Sequence, residues 1–325
     1  MKQPLCGIKL QGEGTMDGAA LVSILQTGAP SMISAITGSV LTAYFMRGNT
    51  ATAEFEKIKA GRFNEVTETL LHSGKMTYQE YYKTNNFLKI AKKADQYYAE
   101  VHREKPPEQQ RDFDWFARFY NEAGNISNER MQEYWAKILA GEVNCPGSFS
   151  LKTIDTLKNL GQEDAELFEK ICSHSIDGND RFFIPNYNRY LEISGITYEE
   201  LMRLGEYGLI YTDGTLVQRI RSTPKERVIF RNGDFVMTTK NKGAASCFEV
   251  KQFPFTLVGS EIARLENRMT RNEEFLVMAQ LIQEKVGEGV KLGVHKIIQV
   301  NGDYFEWEDI NLLTGDEEDG SENRR

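Results

Sequence analysis

The sequence predicts a mainly α-helical protein, with long N-terminal helices and a helical bundle, then a winged-helix-like α+β module and a C-terminal helix plus hairpin. Apolar residues recur at helical spacing through the first half, a helix-turn-helix order precedes a hairpin in the second half, and Asn-Gly pairs stand between apolar runs. The expected divisions are 1–107, 108–178, 179–268 and 269–313, followed by a disordered acidic tail over 314–325.

The composition allows a packed core and excludes several protein classes. Of the 325 residues, 40% are hydrophobic and 26% are charged, which argues against global disorder. The net charge of -8 argues against a chain that coats nucleic acid along its whole length. The cysteines lie far apart, so neither a disulfide framework nor a zinc site is predicted, and a reducing, cytoplasmic location is expected. They are Cys6, Cys145, Cys172 and Cys247.

The segment 18–46 is unusual because it contains no charged residue between Asp17 and Arg47. It is long enough to cross a hydrocarbon core of ~30 Å. Gln26 and Pro30 make it a borderline span, and the proline predicts a break into two short helices. Three interpretations stay open: a buried helical hairpin, a membrane-inserting segment and a protein interface.

Residues 50–104 have the pattern of long polar helices. The run from Tyr78 to Glu104 places aromatic and aliphatic residues near helical spacing among many charges, as in an amphipathic helix. Pro106 and Pro107 predict its end, because proline cannot continue the helical hydrogen-bond ladder.

The clearest helical pattern lies between 113 and 172, where four short helices predict a compact bundle. Ser127 is the expected N-cap of the second helix, and Ser150 that of the third. The second helix carries a wide apolar face formed by Met131, Tyr134, Trp135, Ile138 and Leu139.

A winged-helix order is predicted after 178. A helix over 188–193 and a Ser194-Gly195 turn precede a second helix, whose Thr197 and Glu200 form a capping box. Residues 209–211 are expected to form a strand, and Asn232-Gly233 the turn of the wing hairpin. A short helix over 256–265 closes the module.

The C-terminal part is predicted to hold one helix and one further hairpin. The helix extends from Asn272 to Val286, with one apolar face. The hairpin turns at Asn301-Gly302, between two runs of apolar and aromatic residues.

No catalytic constellation is visible, so the sequence does not predict an enzyme or a cofactor. The histidines at 72, 102, 174 and 295 stand alone, and neither a phosphate loop nor a G-x-S-x-G elbow is present. Glu129 and Glu133 share a helical face and could serve a metal, although an ordinary solvated face is the other interpretation.

The region of the wing is locally basic. Between Thr215 and Lys242 there are seven basic residues against two acidic ones. The candidate contacts for nucleic acid or a protein partner are Arg219, Arg221, Lys225, Arg227 and Arg231. The second helix of the helix-turn-helix is acidic, which argues against DNA reading, so nucleic-acid binding, protein binding and a structural role stay open.

One block resembles a bacterial family catalogued as domain of unknown function 2806. The resemblance lies in the W-A-K-I-L-A-G-E run over 135–142 and the P-G-S-F-S run over 146–150, preceded by D-W-F-x-x-F over 114–119. Within these motifs, the expected packing residues are Trp115, Phe116, Trp135 and Leu139. The resemblance implies no active site.

The same block is loosely similar to the abortive-infection alpha family of phage-exclusion proteins. Leu204, the G-L-I run over 208–210 and a T-L-x-x-G run over 256–259 follow the order of that family. The similarity implies a bacterial origin and a role in phage defence. The sequence thus favours a non-enzymatic protein that binds a macromolecule, either another protein or itself. The alternatives are a membrane-inserting effector that uses 18–46 and a DNA-binding regulator.

Overall fold

The computed structural model describes residues 71–72, 74, 77–101, 112–178, 181–222, 227–241, 243, 246–266, 272–286, 289–301 and 304–316. The uncharged segment 18–46 and most of the predicted tail lie outside the described residues. The chain divides into two compact units, Met1–Lys158 and Asn159–Arg325.

The first unit contains four described helices. They are α1 (Tyr78–Val101), α2 (Phe113–Ala123), α3 (Glu129–Asn144) and α4 (Leu151–Leu157). Helix α1 packs along α3, and α2 packs against both α1 and α4. Phe87 of α1 meets Tyr120 of α2 with ring centroids 4.7 Å apart, which joins the long helix to the aromatic core.

The helix caps of the first unit follow the sequence with one exception. Ser150 caps α4, as predicted, by accepting a hydrogen bond from the Thr153 amide. The predicted cap at Ser127 is wrong, because the side chain of Asn128 accepts from the Met131 amide and α3 begins one residue later. Serine and asparagine are about equally good caps, so their type alone does not decide which of two neighbours takes the position.

The second unit contains five helices and eight strands among its described residues. The helices are α5 (Gln162–Ser173), α6 (Asn188–Ser194), α7 (Tyr198–Glu206), α8 (Leu257–Ala263) and α9 (Asn272–Gln283). The strands are β1 (Ile176–Asp177), β2 (Phe182–Pro185), β3 (Val217–Ser222), β4 (Arg227–Asn232), β5 (Phe235–Asn241), β6 (Ser246–Pro254), β7 (Val290–Asn301) and β8 (Tyr304–Trp307). Helix α5, the fourth helix of the predicted bundle, belongs to this unit.

One antiparallel sheet joins all eight strands in the order β3-β6-β2-β1-β4-β5-β7-β8. The prediction of a mainly α fold with a small winged module is therefore wrong. The predicted C-terminal hairpin, β7 and β8, is also part of this sheet, because the first half of β7, from Val290 to Lys296, pairs with β5. The short strand pair β1–β2 sits between β4 and β6 and connects the two halves.

The winged-helix prediction fails at two specific places. The β4–β5 hairpin has β1 on one side and β7 on the other, so it is an interior part of the sheet and not a free wing. The predicted strand over 209–211 is only a single bridge between Ile210 and Phe255. Its length is too short to build the small sheet that a winged helix requires.

Several local predictions in the second unit are confirmed. Asn232 pairs with Phe235 across the predicted turn of the β4–β5 hairpin. Thr197 and Glu200 form the predicted capping box of α7. Thr256 caps α8 by accepting from the Gly259 amide. Helix α9 begins at Asn272, as expected.

Candidate protein-binding surface

The aromatic residues of the W-A-K-I-L-A-G-E block lie in the core of the first unit. Trp115, Phe116, Trp135 and Leu139 are all buried. Phe119 connects the two tryptophans, with its ring centroid 5.1 Å from that of Trp115 and 5.1 Å from that of Trp135. These side chains stabilise the packing of α2 on α3 and offer no group to a ligand.

The two family motifs form one structural unit around the loop that follows α3. The buried carboxylate of Glu142 accepts hydrogen bonds from the amides of Gly147 at 2.6 Å and Phe149 at 3.1 Å. The Trp115 indole donates to the Phe149 carbonyl at 2.7 Å. A Cβ atom at Gly141 would lie 2.7 Å from the Phe149 ring, so glycine leaves room for that ring. The P-G-S-F-S loop is thus held in place by hydrogen bonds to Glu142 of the preceding helix and to Trp115.

The pair Glu129 and Glu133 on α3 serves an ion-pair cluster. The Lys93 ammonium contacts Glu133 and lies 3.6 Å from Glu129, and the Tyr97 hydroxyl donates to Glu133 at 2.6 Å. Burial raises the pKa of Glu133, but the hydrogen bonds from Lys93 and Tyr97 outweigh this effect, so the pKa lies below its ordinary value. Within the described residues, no cluster of three or more histidine, cysteine or acidic side chains could hold a metal ion.

The basic residues that cluster in the sequence are spread across the sheet. Arg219 and Arg221 lie on β3 at one end of the strand order, whereas Arg231 lies on β4, four strands further along. At about 4.8 Å per strand, β3 and β4 are roughly 19 Å apart along the sheet. Lys225 and the side chain of Arg227 lie outside the described part of the chain.

Two of these arginines are already engaged by neighbouring groups. Arg219 pairs with Glu249 across the β3–β6 ladder, with 2.8 Å between the guanidinium and the carboxylate. The Arg231 guanidinium lies over the Phe305 ring at 5.3 Å. Arg221 is exposed on β3. The described arginines therefore do not form one continuous basic surface.

Helix α7, the acidic second helix of the helix-turn-helix, is held against α5 by two ion pairs. Arg203 donates to the buried Asp164 at 2.6 Å, and Lys170 lies 2.6 Å from Glu200. The bond to Asp164 raises the pKa of Arg203 above its ordinary value. The Tyr207 hydroxyl donates to the same carboxylate at 2.8 Å. These contacts fix which face of α7 points outward.

Three large apolar side chains are exposed on α7 and on the segment that follows it. Tyr198 is 49% exposed, Met202 is 41% exposed, and Tyr211 beyond the end of the helix is 53% exposed. Tyr198 and Met202 share one helical stripe. A Cβ atom at Gly205 would lie 2.4 Å from the Thr212 side chain, so the segment that carries Tyr211 passes close to α7.

Exposed carboxylates lie on the same two segments as these apolar side chains. Glu199 and Glu206 are exposed on α7, and Asp213 is exposed on the segment beside it. Hydrogen bonds from Thr215 hold the pKa of Asp213 below its ordinary value. We call the group Tyr198, Glu199, Met202, Glu206, Tyr211 and Asp213 the α7 surface.

A comparison with protein families identifies the chain. A family model described as protein of unknown function (DUF2806) matches residues 72–279, which is well over half of the chain. The chain belongs to the DUF2806 family. No curated protein and no solved structure matches it.

In this DUF2806 protein the residues on which the predicted similarity to abortive-infection alpha proteins rests contact one another, and the similarity itself stays a prediction. The Thr256 amide donates to the Leu209 carbonyl at 2.9 Å, and the Thr256 hydroxyl donates to the Gly208 carbonyl at 2.6 Å. A Cβ atom at Gly259 would lie 2.0 Å from the Leu209 carbonyl oxygen. These contacts hold the start of α8 against the turn after α7.

The α7 surface of the DUF2806 protein was only partly visible in the sequence. The acidic character of α7 was predicted, but the exposure of Met202, which stands between Leu201 and Leu204 in the sequence, was not. The structure buries the two leucines and exposes Met202. The contacts of Arg203 and Glu200 with α5 fix this orientation, and such partners from another helix leave no signal in the helical pattern of α7.

None of the helices that the structure describes is both long and apolar enough to cross a membrane. The candidate segment 18–46 lies outside these residues, so the membrane-insertion hypothesis stays a prediction.

Proposed function

We propose that this DUF2806 protein is a non-enzymatic bacterial protein that binds a protein partner through the α7 surface. The single observation that carries the proposal is the exposure of Tyr198 and Met202 on one stripe of α7, with Tyr211 also exposed on the segment that passes close to the helix. Aromatic residues and methionine are enriched at the centres of protein interfaces, where they supply apolar area.

The position of Tyr198 supports this role, because neighbouring residues fix its side chain although 49% of the residue is exposed. The Tyr198 hydroxyl donates to the Asn186 side chain at 3.2 Å, and its ring meets Phe253 edge-on at 5.7 Å. A side chain that is already ordered loses little conformational entropy on binding. Little of the binding free energy from this ring would therefore be lost to ordering its side chain.

The same surface argues against nucleic acid as the partner of α7. Glu199, Glu206 and Asp213 would face the phosphates of a duplex, and like charges raise the free energy of such a complex. Arg221 is exposed on β3, so DNA binding through this strand stays a second prediction. A gel shift at low salt tests it, because reversing the charge of Arg221 should then weaken the binding of DNA.

A site-specific photo-crosslinker tests the proposal. We expect a crosslinker at position 202 to trap a defined protein in bacterial cells, and a crosslinker at position 298 to trap none. Ile298 is the matched control because it is 65% exposed on β7, five strands along the sheet from β6, whose Phe253 contacts Tyr198 of α7. Equal products at both positions, or no product at position 202, would contradict the proposal. A crosslink to a second copy identifies self-association as the partner.

We extend the proposal to phage defence because of the similarity to abortive-infection alpha proteins. Expression of the protein in a sensitive bacterium is then expected to lower the plaque count, and Met202→Ser together with Tyr211→Ser is expected to restore it. An unchanged plaque count with the intact protein rejects the phage-defence role and leaves protein binding to the crosslinking experiment.

A further inference from the structure

We infer that the partner segment bound by the α7 surface is positively charged, with an apolar side chain between arginine or lysine residues. This inference rests on the proposed function and names the chemistry of the partner. It follows from charge, from the exposed rings and from the spacing along α7.

The charge of the α7 surface is not compensated within the described structure. Neither Glu199 nor Glu206 forms an ion pair with a described cation, although both are exposed. The nearby cation, Arg203, is bound by the buried Asp164 and lies 3.5 Å from Glu163. Helix α7 therefore presents negative charge to a partner, and a complementary surface carries positive charge.

The two exposed tyrosine rings also favour a partner that carries cations. A guanidinium or ammonium group over a tyrosine ring is attracted by the negative face of the ring. Tyr198 is next to Glu199, and Tyr211 is two residues from Asp213, so each ring has a carboxylate close in sequence. An arginine side chain can stack on a ring and donate to a carboxylate at the same time, because its guanidinium is planar with several donors.

Met202 lies between the carboxylate positions and supplies the apolar contact. Residues 198, 202 and 206 form one stripe of α7, with steps of about 6 Å along the helix axis. In an extended segment, every second residue lies about 6.6 Å further along the chain on the same side. A segment with basic, apolar and basic side chains at alternate positions therefore matches Tyr198–Glu199, Met202 and Glu206 in order.

A selection from a displayed library of random peptides, carried out on the immobilised full chain, tests this inference. We expect the enriched peptides to contain arginine or lysine at alternate positions around an apolar residue. Their affinity should fall about tenfold or more in the double variant Glu199→Lys and Glu206→Lys, and should fall as the salt concentration rises.

Two further variants keep the result interpretable. The double variant Glu199→Gln and Glu206→Gln removes the negative charges and is expected to weaken binding several-fold. It adds no cation near the N-terminus of α7, where a positive charge would destabilise the helix. Glu273→Lys with Glu284→Lys is the matched control, because it makes the same charge change at two exposed residues on and just beyond α9 and should leave the affinity unchanged.

The outcomes separate the inference from the proposed function. Neutral or acidic peptides that lose binding in Met202→Ser but not in the charge variants would overturn the inference while supporting the proposed surface. Peptides whose binding depends on neither Met202 nor the carboxylates, or a selection without enrichment, would count against both.

Discussion

At the scale of single residues, a close contact with backbone explains why glycine stands at position 259. Gly259 has no room for a side chain, since a Cβ atom would lie 2.0 Å from the backbone oxygen of Leu209. That oxygen also accepts the hydrogen bond of the Thr256 amide, so moving it would break the contact between the start of α8 and the turn after α7.

We therefore expect Gly259→Ala to lower the free energy of unfolding by about 3 kcal/mol, because overpacking against backbone forces a shift of α8. Denaturant unfolding measures this change. Gly214→Ala is the control, since its Cβ atom would meet only the Asn186 side chain at an ordinary 3.7 Å. Equal effects of the two substitutions would show that the close approach at Gly259 is not limiting.

Glu142 supports a second prediction at this scale. Its buried carboxylate accepts two amide hydrogen bonds from the loop after α3, and bonds to charged groups contribute about 1.5–3 kcal/mol each. We expect Glu142→Ala to lower the free energy of unfolding by about 3 kcal/mol and to increase hydrogen exchange at the Gly147 and Phe149 amides. Glu129→Gln, at a side chain that is 88% exposed, is the control with little expected effect.

At the scale of elements, helices in this protein are joined by polar contacts added to apolar packing. Lys93 and Tyr97 of α1 meet Glu133 of α3, and Arg203 of α7 meets Asp164 of α5. In each case one carboxylate accepts hydrogen bonds from two side chains of the neighbouring segment, since Tyr97 also binds Glu133 and Tyr207 also binds Asp164. Such contacts specify which faces of two helices meet.

The contact at Glu133 predicts a pH dependence of stability. Its folded pKa lies below the ordinary value of 4.5, so the contribution is fully present above that pH and is lost as the pH falls through the folded pKa. Glu133→Gln should therefore be less stable than the wild type at neutral pH, and the difference should shrink as the pH falls below about 4.5. Hydrogen exchange of α1 and α3 amides measures it.

A difference between the two proteins that persisted unchanged to the lowest accessible pH would contradict this origin. It would mean that Glu133 acts through packing and not through its ionised form. The Glu129→Gln variant again provides the reference, because Glu129 lies on the same helix and its side chain is 88% exposed.

Local elements were largely predictable from the sequence. The capping box at Thr197 and Glu200, the cap at Ser150 and the turn after Asn232 each depend on residues within four positions. The first residue of α3 was not predictable, because Ser127 and Asn128 are adjacent and equally suited to capping.

At the scale of the whole molecule, the sequence was a poor guide to the sheet. Strand β2 pairs with β6, joining Phe183 to Pro254 across a long stretch of chain, and β1 joins β4 through Asp177 and Arg231. Such pairings leave no local pattern. The same non-local pairing explains the basic residues, which are neighbours along the chain but lie on strands that the sheet separates.

The segment 18–46 supports a prediction for the whole chain. Because Gln26 and Pro30 interrupt its apolar character, we expect the intact protein to be released from bacterial membranes by a carbonate wash, as a variant lacking 18–46 is. Fractionation followed by immunodetection measures this. Retention of the intact protein but not of the deletion variant would instead favour the membrane-effector alternative.

The placement of β1 and β2 inside the sheet has a consequence for synthesis of the protein. These strands leave the ribosome before either of their outer neighbours, β4 and β6, so their edges stay open while most of the second unit is still being translated. A chain that stopped after β5 would keep the edge of β2 unpaired, and open edges recruit other chains. Premature termination between β5 and β6 is therefore expected to produce aggregates and not a smaller working protein.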